Sequence, residues 1–228
     1  MQKFRVGVDI GGTFTDIVFL GDGGQVLARK IASTPDDYSE AVLDGIKIGV
    51  AELGITAEMV SEVSHGFTVA TNAIIEQKGA KTALITTKGF RDILEFRRNR
   101  IPRLYDLHYE KPPPLVKRQF RLEVGERLNF KGEVLEPLNK ADVDRAVQYV
   151  LDSGVESVAI CLLHSYANPD HEQLIAQALA EKAPGVNLTV SSELLPEMKE
   201  YERTSTTVIN GYVRPVVERY LSLLTDGL

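Results

Sequence analysis

Two apolar runs meet at a pair of glycines near the start of the chain, in VDIGGTFTDIVFLG over positions 8–21. β-Branched and aromatic residues on both sides of a Gly-Gly pair predict strand, tight turn, strand, with glycine supplying positive φ at no steric cost. This fixes the opening of the fold as an antiparallel hairpin. Asp9 closes the first strand, Asp16 opens the second, and Thr13 and Thr15 place hydroxyls beside the turn. A turn that only reversed the chain would need none of these four side chains.

Beyond the hairpin the chain alternates between strand and helix. QVLARKIAS predicts a third strand, and TPDDYSEAVLDGIKIGVAELG predicts a helix through Val42, Ile46, Val50 and Leu53, started at Pro35 and Asp36 and stopped at Gly54. EVSHG predicts a strand leading into a helix TVATNAIIEQKG, and KTALITT a strand leading into a short helix FRDILEF. Such alternation is the pattern of an α/β fold whose sheet is covered by helices. Between 97 and 137 the periodicity breaks down, and a triple proline favours extended polyproline II backbone, so this stretch reads as an irregular excursion across the surface. A second, smaller α/β part comes after it: helix KADVDRAVQYVLDSG, amphipathic through Val143, Val147, Val150 and Leu151, strand SVAICLL, helix PDHEQLIAQALAEKA and strand VNLTVSS. The end carries an apolar stripe from Val208 to Leu224, which predicts a long helix with Pro215 as its bending point. By pattern the chain divides into 1–96, 97–137 and 138–228.

At 228 residues and 43% hydrophobic, the chain can bury a real core. A net charge of −6 argues against a general polyanion binder, so nucleic acid is not the expected partner. The single cysteine, Cys161, rules out an intrachain disulfide and reads as a small buried hydrophobe on its strand. No apolar run is long enough to span a membrane, and Asp9 and Asp16 interrupt the first one, so the expectation is a cytoplasmic protein without a signal peptide. His164 and His171 lie seven apart with no third partner at ligand spacing, which speaks against a metal site there.

A glycine turn with free N–H groups is a means of cradling phosphate, and the type of turn decides which phosphate loop it is. GGTFTD lacks the lysine and following Ser/Thr of a Walker A loop, and it leads into a strand rather than the helix that a dinucleotide fingerprint requires. A β-hairpin phosphate loop remains. In it Gly11, Gly12 and Thr13 would donate to terminal phosphates, and Asp9 would hold Mg²⁺ through water, as hard cations prefer. Asp16 is expected to play a separate part, stiffening the turn by accepting backbone N–H bonds.

The stretch DIGGTFTD resembles the first phosphate motif of the actin, Hsp70 and sugar-kinase superfamily. Together with SHGFTVATNAIIEQKGAKTALITTKGFRDILEFRRNR, LYDLHYEKPPPLV, CLLHSYANPDHE and EYERTSTTVINGYV, it resembles the N-terminal region of the hydantoinase A/5-oxoprolinase family, which also supplies ATP-using subunits of acetone and acetophenone carboxylases. The resemblance runs over nearly the whole chain. It implies a ribonuclease-H-like ATPase lobe, ATP and Mg²⁺ as cofactors, and a nucleotide site of Asp9, Gly11, Gly12, Thr13, Thr15 and Asp16. It implies a small cyclic amide as substrate, such as a hydantoin or 5-oxoproline, whose carbonyl oxygen is phosphorylated before ring opening. The alternatives are an acetone/acetophenone-type carboxylase subunit and a non-catalytic binding or assembly module. The chain departs from the family at His65-Gly66-Phe67-Thr68, where the family reads His-Gly-Thr-Thr, and this bears on substrate preference. Family members carry a second Gly-Gly phosphate loop and an adenosine segment further on, whereas the other glycine pair here, Gly23-Gly24, sits at a plain hairpin tip. The expectation is one lobe of a larger enzyme, inactive as an ATPase by itself, that works with a C-terminal lobe and a second, B-type subunit.

His65 ends a strand ahead of a helix entered at Thr68, a placement at which a side chain meets a cleft; the competing reading is an ordinary helix cap and a core histidine. With the resemblance, Asp9, His65 and Arg91 become the candidate catalytic residues, and His65, Phe67, Thr68, Asn72, Arg91, Asp92 and Arg203 the candidate substrate contacts. Arg91, Asp92, Glu95, Arg97, Arg98, Arg100 and Arg103 form a dense charged run that reads either as a solvated face or as a source of cleft arginines for a carboxylate or phosphoryl group.

Overall fold

The computed structural model describes residues 2–34, 37–98, 105–106 and 108–228. Pro35, Asp36, Arg100 and Arg103 therefore lie outside the described residues. The chain forms two compact units, one of residues 1–78 with 216–228 and one of residues 79–215. The pattern boundaries near 96 and 137 are not where the packing divides, because strands on both sides of them pair within one sheet.

In the first unit, β1 (Phe4–Ile10), β2 (Phe14–Gly21), β3 (Val26–Ala32) and β4 (Val60–Phe67) form a sheet in the order β3-β2-β1-β4, antiparallel except for the parallel β1–β4 pair. Alternation along β1 sends Phe4, Val6, Val8 and Ile10 to one face, where they pack with Ile17, Phe19, Val42, Val69, Tyr220 and Leu224. The helix α1 (Tyr38–Leu53) covers that face at close range. A Cβ on Gly45 would stand 1.8 Å from Ile17 Cδ1, and one on Gly49 2.1 Å from Phe19 Cε2, so both positions require glycine. The α1 cap is Asp37, whose carboxylate accepts from Ser39 N at 2.9 Å, and Gly54 stops the helix in the left-handed region. A short helix α2 (Val69–Ile75) follows β4.

In the second unit β5 (Thr82–Thr87), β6 (Arg121–Val124), β9 (Ser157–Cys161) and β10 (Asn187–Val190) form an all-parallel sheet in the order β10-β9-β5-β6. A two-stranded ribbon of β7 (Arg127–Leu128) and β8 (Val134–Glu136) stands apart. Every residue of β5 and β9 is buried, as in sheets covered on both faces. Helices α4 (Lys140–Ser153) and α5 (Asp170–Lys182) pack Val143, Val147, Ile175 and Leu179 on one face; Leu94 of the single-turn α3 (Ile93–Phe96) and Val208 of the long α7 (Glu200–Gly227) lie on the other. A turn α6 (Ser191–Leu194) follows β10, and α7 remains helical through Pro215.

Two sequence expectations are corrected here. The stretch 97–137 is not irregular throughout, since β6 is a strand of the second sheet. Its motif RLEV has two charged residues in four, and it is buried because Arg121, 3% exposed, is tied to Val116 O and Glu95. Gly11 and Gly12 do not have positive φ; among the described hairpin glycines it is Gly24 that does, at φ 82°.

Candidate functional site

Register places the two carboxylates of the opening hairpin together. Asp9 of β1 stands directly opposite Asp16 of β2, and Ile10 opposite Thr15, so the connection between the last paired residues is four residues, 11–14, rather than the Gly-Gly pair alone. Directly opposed residues of an antiparallel pair share a face. Both aspartates thus point to the face not covered by α1. They line an open trough with Gly7, Val18, Ser64 and Gly66, bordered also by Val8 and His65.

The two carboxylates are nonetheless differently held. Asp16 takes Lys30 Nζ at 2.6 Å from the next strand, and no backbone N–H, so its expected role as an acceptor within the turn is not what the structure shows. Asp9 has no hydrogen bond or ion pair among the described residues.

The turn itself is braced from the core side. Gly11 N–H is spent on Phe14 O at 3.0 Å, so of the three anticipated phosphate donors it drops out. Thr15 is fully buried and also drops out as a ligand, since alternation sends it to the core face. There its hydroxyl meets Ser33 Oγ at 2.9 Å, and Ser33 Oγ donates to Gly11 O at 2.8 Å while Ser33 N donates to Thr13 O at 2.9 Å. Gly12 N–H and Thr13 N–H have no protein acceptor among the described residues. A Cβ on Gly11 would meet Phe14 O at 3.1 Å and one on Gly12 would meet Asn72 Nδ2 at 3.3 Å, which explains the glycines by close approach. Asn72 Nδ2 is buried with no partner among the described residues. Two free N–H groups, an unpartnered amide and a free carboxylate around one turn form a donor set that fits a phosphate with a hydrated divalent cation.

His65 and Phe67 sit elsewhere. In the β1–β4 register Asp9 pairs with Gly66, so His65 and Phe67 share the opposite face with Val8 and Ile10. Their rings lie 5.4 Å apart, and each lies within 6 Å of the Tyr220 ring, at 5.9 and 5.5 Å. His65 therefore does not converge with the Asp9 carboxylate. Thr68 stands at the cap of α2, but its hydroxyl donates to Ile10 O at 3.0 Å and caps no helix N–H.

The remaining candidates belong to the second unit. Asp92 is held by Arg118 in a bidentate pair at 2.9 and 3.0 Å, which keeps its carboxyl below the usual range, and Arg91 lies 3.8 Å from Glu123. Arg98 pairs with Glu202, and Arg97 donates to Pro112 O. This part of the charged run is thus an ion-pair network. Arg203 is 1% exposed and donates to Ser165 Oγ and Leu162 O. Cys161 is buried, which pushes its thiol up and leaves it unreactive. Sequence reasoning missed Lys30 and Ser33. A three-residue loop, Asp22-Gly23-Gly24, between Gly21 and Gln25 is what places Lys30 opposite Asp16, one residue off the register that a turn at Gly23-Gly24 alone would give.

Among the described residues no helix is long and apolar enough to cross a membrane. The family model of the hydantoinase/oxoprolinase N-terminal region matches residues 5–183. The chain is 37% identical over 226 residues to caprolactamase subunit alpha of Pseudomonas jessenii, covering 96% of this chain and 32% of that one. It is 30% identical over 270 residues to 5-oxoprolinase of Saccharomyces cerevisiae, covering 100% of this chain and 21% of that one. The crystal structure of the ATP-dependent caprolactamase superposes with a TM-score of 0.87 over 96% of this chain and 32% of that one. Nucleotide-free acetone carboxylase superposes with a TM-score of 0.85 at 25% identity, over 99% of this chain and 34% of that one. The chain thus spans about a third or less of the length of these relatives. On the family match and its mixed α/β fold, the chain belongs to the hydantoinase/oxoprolinase family, whose N-terminal region it carries.

Proposed function

We propose that this chain supplies the phosphate-binding turn of an ATP-dependent enzyme that opens small cyclic amides. The observation that carries the reading is the Asp9 carboxylate, without a partner among the described residues and facing a trough, on the turn whose Gly12 and Thr13 N–H groups are likewise unspent among those residues. Gly12 and Thr13 would donate to the terminal phosphates, and the Asn72 amide would join them from α2. Asp9 would hold Mg²⁺ through water. When bound, ATP supplies the phosphoryl group that turns the amide carbonyl oxygen into a leaving group.

This chain's part in that transfer is positioning and charge placement, which is most of what phosphoryl transfer asks of a protein. The Thr15–Ser33–Gly11 brace holds the turn from the buried side, and Lys30 offsets Asp16 so that a single uncompensated carboxylate faces the phosphates. The aromatic group of His65, Phe67 and Tyr220 forms a wall on the other face, where it supports the strand rather than moving a proton. The cyclic-amide class is favoured by relatives named caprolactamase and 5-oxoprolinase. One of them is named as a subunit, and this chain is read as working with a further lobe and a second subunit.

The test is cyclic-amide-dependent ADP release by the complete enzyme, with caprolactam, hydantoin and 5-oxoproline as probes. The expected result is stimulation by at least one of them and its loss in Asp9→Asn. Stimulation only by acetone or acetophenone with bicarbonate would establish the carboxylase reading instead, and no stimulation by either set would leave a binding module.

A further inference from the structure

The second unit holds a cavity that the nucleotide reading does not use. It lies between α7 and the chain around Pro113, partly open to solvent, with a volume of ≈ 130 Å³. An apolar cavity of about 150 Å³ holds benzene, so this one has room for a five- or six-membered ring with its substituent at the mouth. On α7, Tyr201, Ser205, Val208 and Ile209 stand on one face at helical spacing, and the small Ser205 leaves a notch between larger neighbours. Pro113 and Pro114 line the same space, with fixed φ and no N–H to bond across the gap. Leu94 and Leu115 complete the apolar walls.

Arg97 gives the cavity its charge. Among the described residues that line it, Arg97 is the charged one, and none is a carboxylate. The arginines around it in sequence and space are already engaged: Arg91 lies by Glu123, Arg98 pairs with Glu202, Arg118 with Asp92 and Arg121 with Glu95. Arg97 has no ion-pair partner among the described residues; its Nη2 donates to Pro112 O, and its Nε and Nη1 have no acceptor among them. Both nitrogens are open to solvent, whereas Arg121 Nη1 and Arg203 Nε are sealed in the protein. Arg97 also holds φ 57° and ψ −150°, a conformation rare outside glycine, so the backbone is strained where the cation is presented. Two hydroxyls line the same space. Tyr201 Oη and Ser205 Oγ make no hydrogen bond among the described residues, and both are accessible. Their neighbours Thr204 and Thr207 instead turn their hydroxyls back onto helix carbonyls, those of Glu200 and Arg203.

We infer that this cavity binds a monocarboxylate carried on a five- or six-membered apolar ring. The carboxylate takes a charge-assisted hydrogen bond from Arg97 and a second bond from the Ser205 hydroxyl, and the ring lies against the proline pair, Leu94 and Val208. A phosphate is disfavoured, because its further charge would meet apolar wall rather than a second cation. The site stands on the second unit alone and does not depend on ATP or on the turn at Gly11.

The experiment titrates the full 228-residue chain with benzoate and follows the methyl resonances of Leu94, Leu115, Val208 and Ile209, which the ring current of a bound benzoate displaces. Benzoate should move them saturably. Benzamide keeps the ring without the charge, acetate keeps the charge without the ring, and each should bind about tenfold more weakly or worse, the effect of losing a hydrogen bond to a charged group or the burial of the ring. Arg97→Gln should weaken benzoate by a similar factor, and Ser205→Leu, which fills the notch, should abolish binding. In both variants the buried methyls of Val158 and Ile160 on β9 report that the fold is kept, and if Arg97→Gln disturbs them, Ser205→Leu decides alone. Methyls that benzoate moves no more than chloride does would show that the cavity holds water only and would overturn the assignment. Equal affinity for benzamide or acetate, preference for inorganic phosphate, unchanged affinity in Arg97→Gln, or benzoate held as well by Ser205→Leu would equally overturn it.

Discussion

Asp9→Asn is expected to stabilise the opening hairpin while it abolishes function. Asp9 and Asp16 face each other across the ladder, and opposed side chains of this kind have Cβ atoms about 5 Å apart. Two unit charges about 6 Å apart in water repel by about 0.7 kcal/mol, and like charges directly opposite in a sheet are known to destabilise by this order. The Asp16–Lys30 pair at 2.6 Å survives the substitution; both side chains are about half exposed, so it contributes only about 0.2–1 kcal/mol in either form. The net gain is therefore about 0.5–0.7 kcal/mol at low salt, and it shrinks as the Debye length falls to about 8 Å at physiological ionic strength. Native-state hydrogen exchange of the β1 and β2 amides reads the hairpin itself, and protection should rise two- to threefold, by about the Boltzmann factor of that energy. The same substitution in the complete enzyme should remove most turnover, because an amide does not supply the negative charge a hard dication requires. Exchange that quickens in Asp9→Asn would refute the reasoning, since it would mean that Asp9 makes a stabilising contact in the free protein.

Three further outcomes are expected. Tyr220→Phe should stabilise the first unit by about 1 kcal/mol in urea denaturation, because the buried Oη has no partner among the described residues and burial pushes the phenol to about 12; a loss instead would reveal a hydrogen bond. Gly49→Ala should destabilise by about 1–2 kcal/mol net, the cost of displacing the Phe19 ring exceeding the gain in helix propensity, and an unchanged urea midpoint would show that α1 can lift. His164 is held below its ordinary value of 6.5, by burial first and then by Arg127 and Arg203, so the unfolded chain takes the proton before the folded one does. Stability should therefore fall as pH drops from about 6.5 to the lower folded value, and His164→Gln should flatten that slope in melts taken across the window.

The parts of the fold legible in the sequence are those in which one period dominates. Alternation of apolar residues in β1 and β2, and the helical spacing of Val42, Ile46 and Val50, mark the elements because a single face of each is buried. Both-face burial of β5 and β9 gives continuous apolar runs, which are equally plain. β6 escaped because its burial depends on Arg121 finding Glu95 and Val116 O, partners that no local pattern displays. At the turn, residue types pointed to the right place but not to the right geometry. A two-residue turn at Gly11-Gly12 would oppose Asp9 to Phe14, whereas the four-residue connection opposes it to Asp16. Two residues of loop length leave Asp16 on the same face but decide whether it stands directly opposite Asp9 or two residues away, opposite Gly7.

The same register accounts for the small residues around Asp9. Gly66 is its partner on β4, and a Cβ there would come within 3.8 Å of Asp9 Oδ1, on the face that must stay open. Gly7, two residues before Asp9, keeps that face open along β1, and Gly12 gives way to the Asn72 amide. Each glycine lowers the strand or turn stability that a larger residue would supply. Unpaired polar atoms add to this cost within the same unit: Asn72 Nδ2, His65 Nδ1 and Tyr220 Oη are all buried without partners among the described residues. The second unit has two further such atoms on arginines, Arg121 Nη1 on the edge strand β6 and Arg203 Nε on α7. A hairpin with opposed carboxylates, three small residues and an unsatisfied amide around one turn departs from local stability rules at several neighbouring positions. Such clustered departures mark sites kept for a ligand rather than for packing, since scattered ones would serve no common purpose. On the function proposed above, the ligand that would relieve most of them at once is a phosphate, for the N–H groups and the amide, with a hydrated metal at the Asp9 carboxylate.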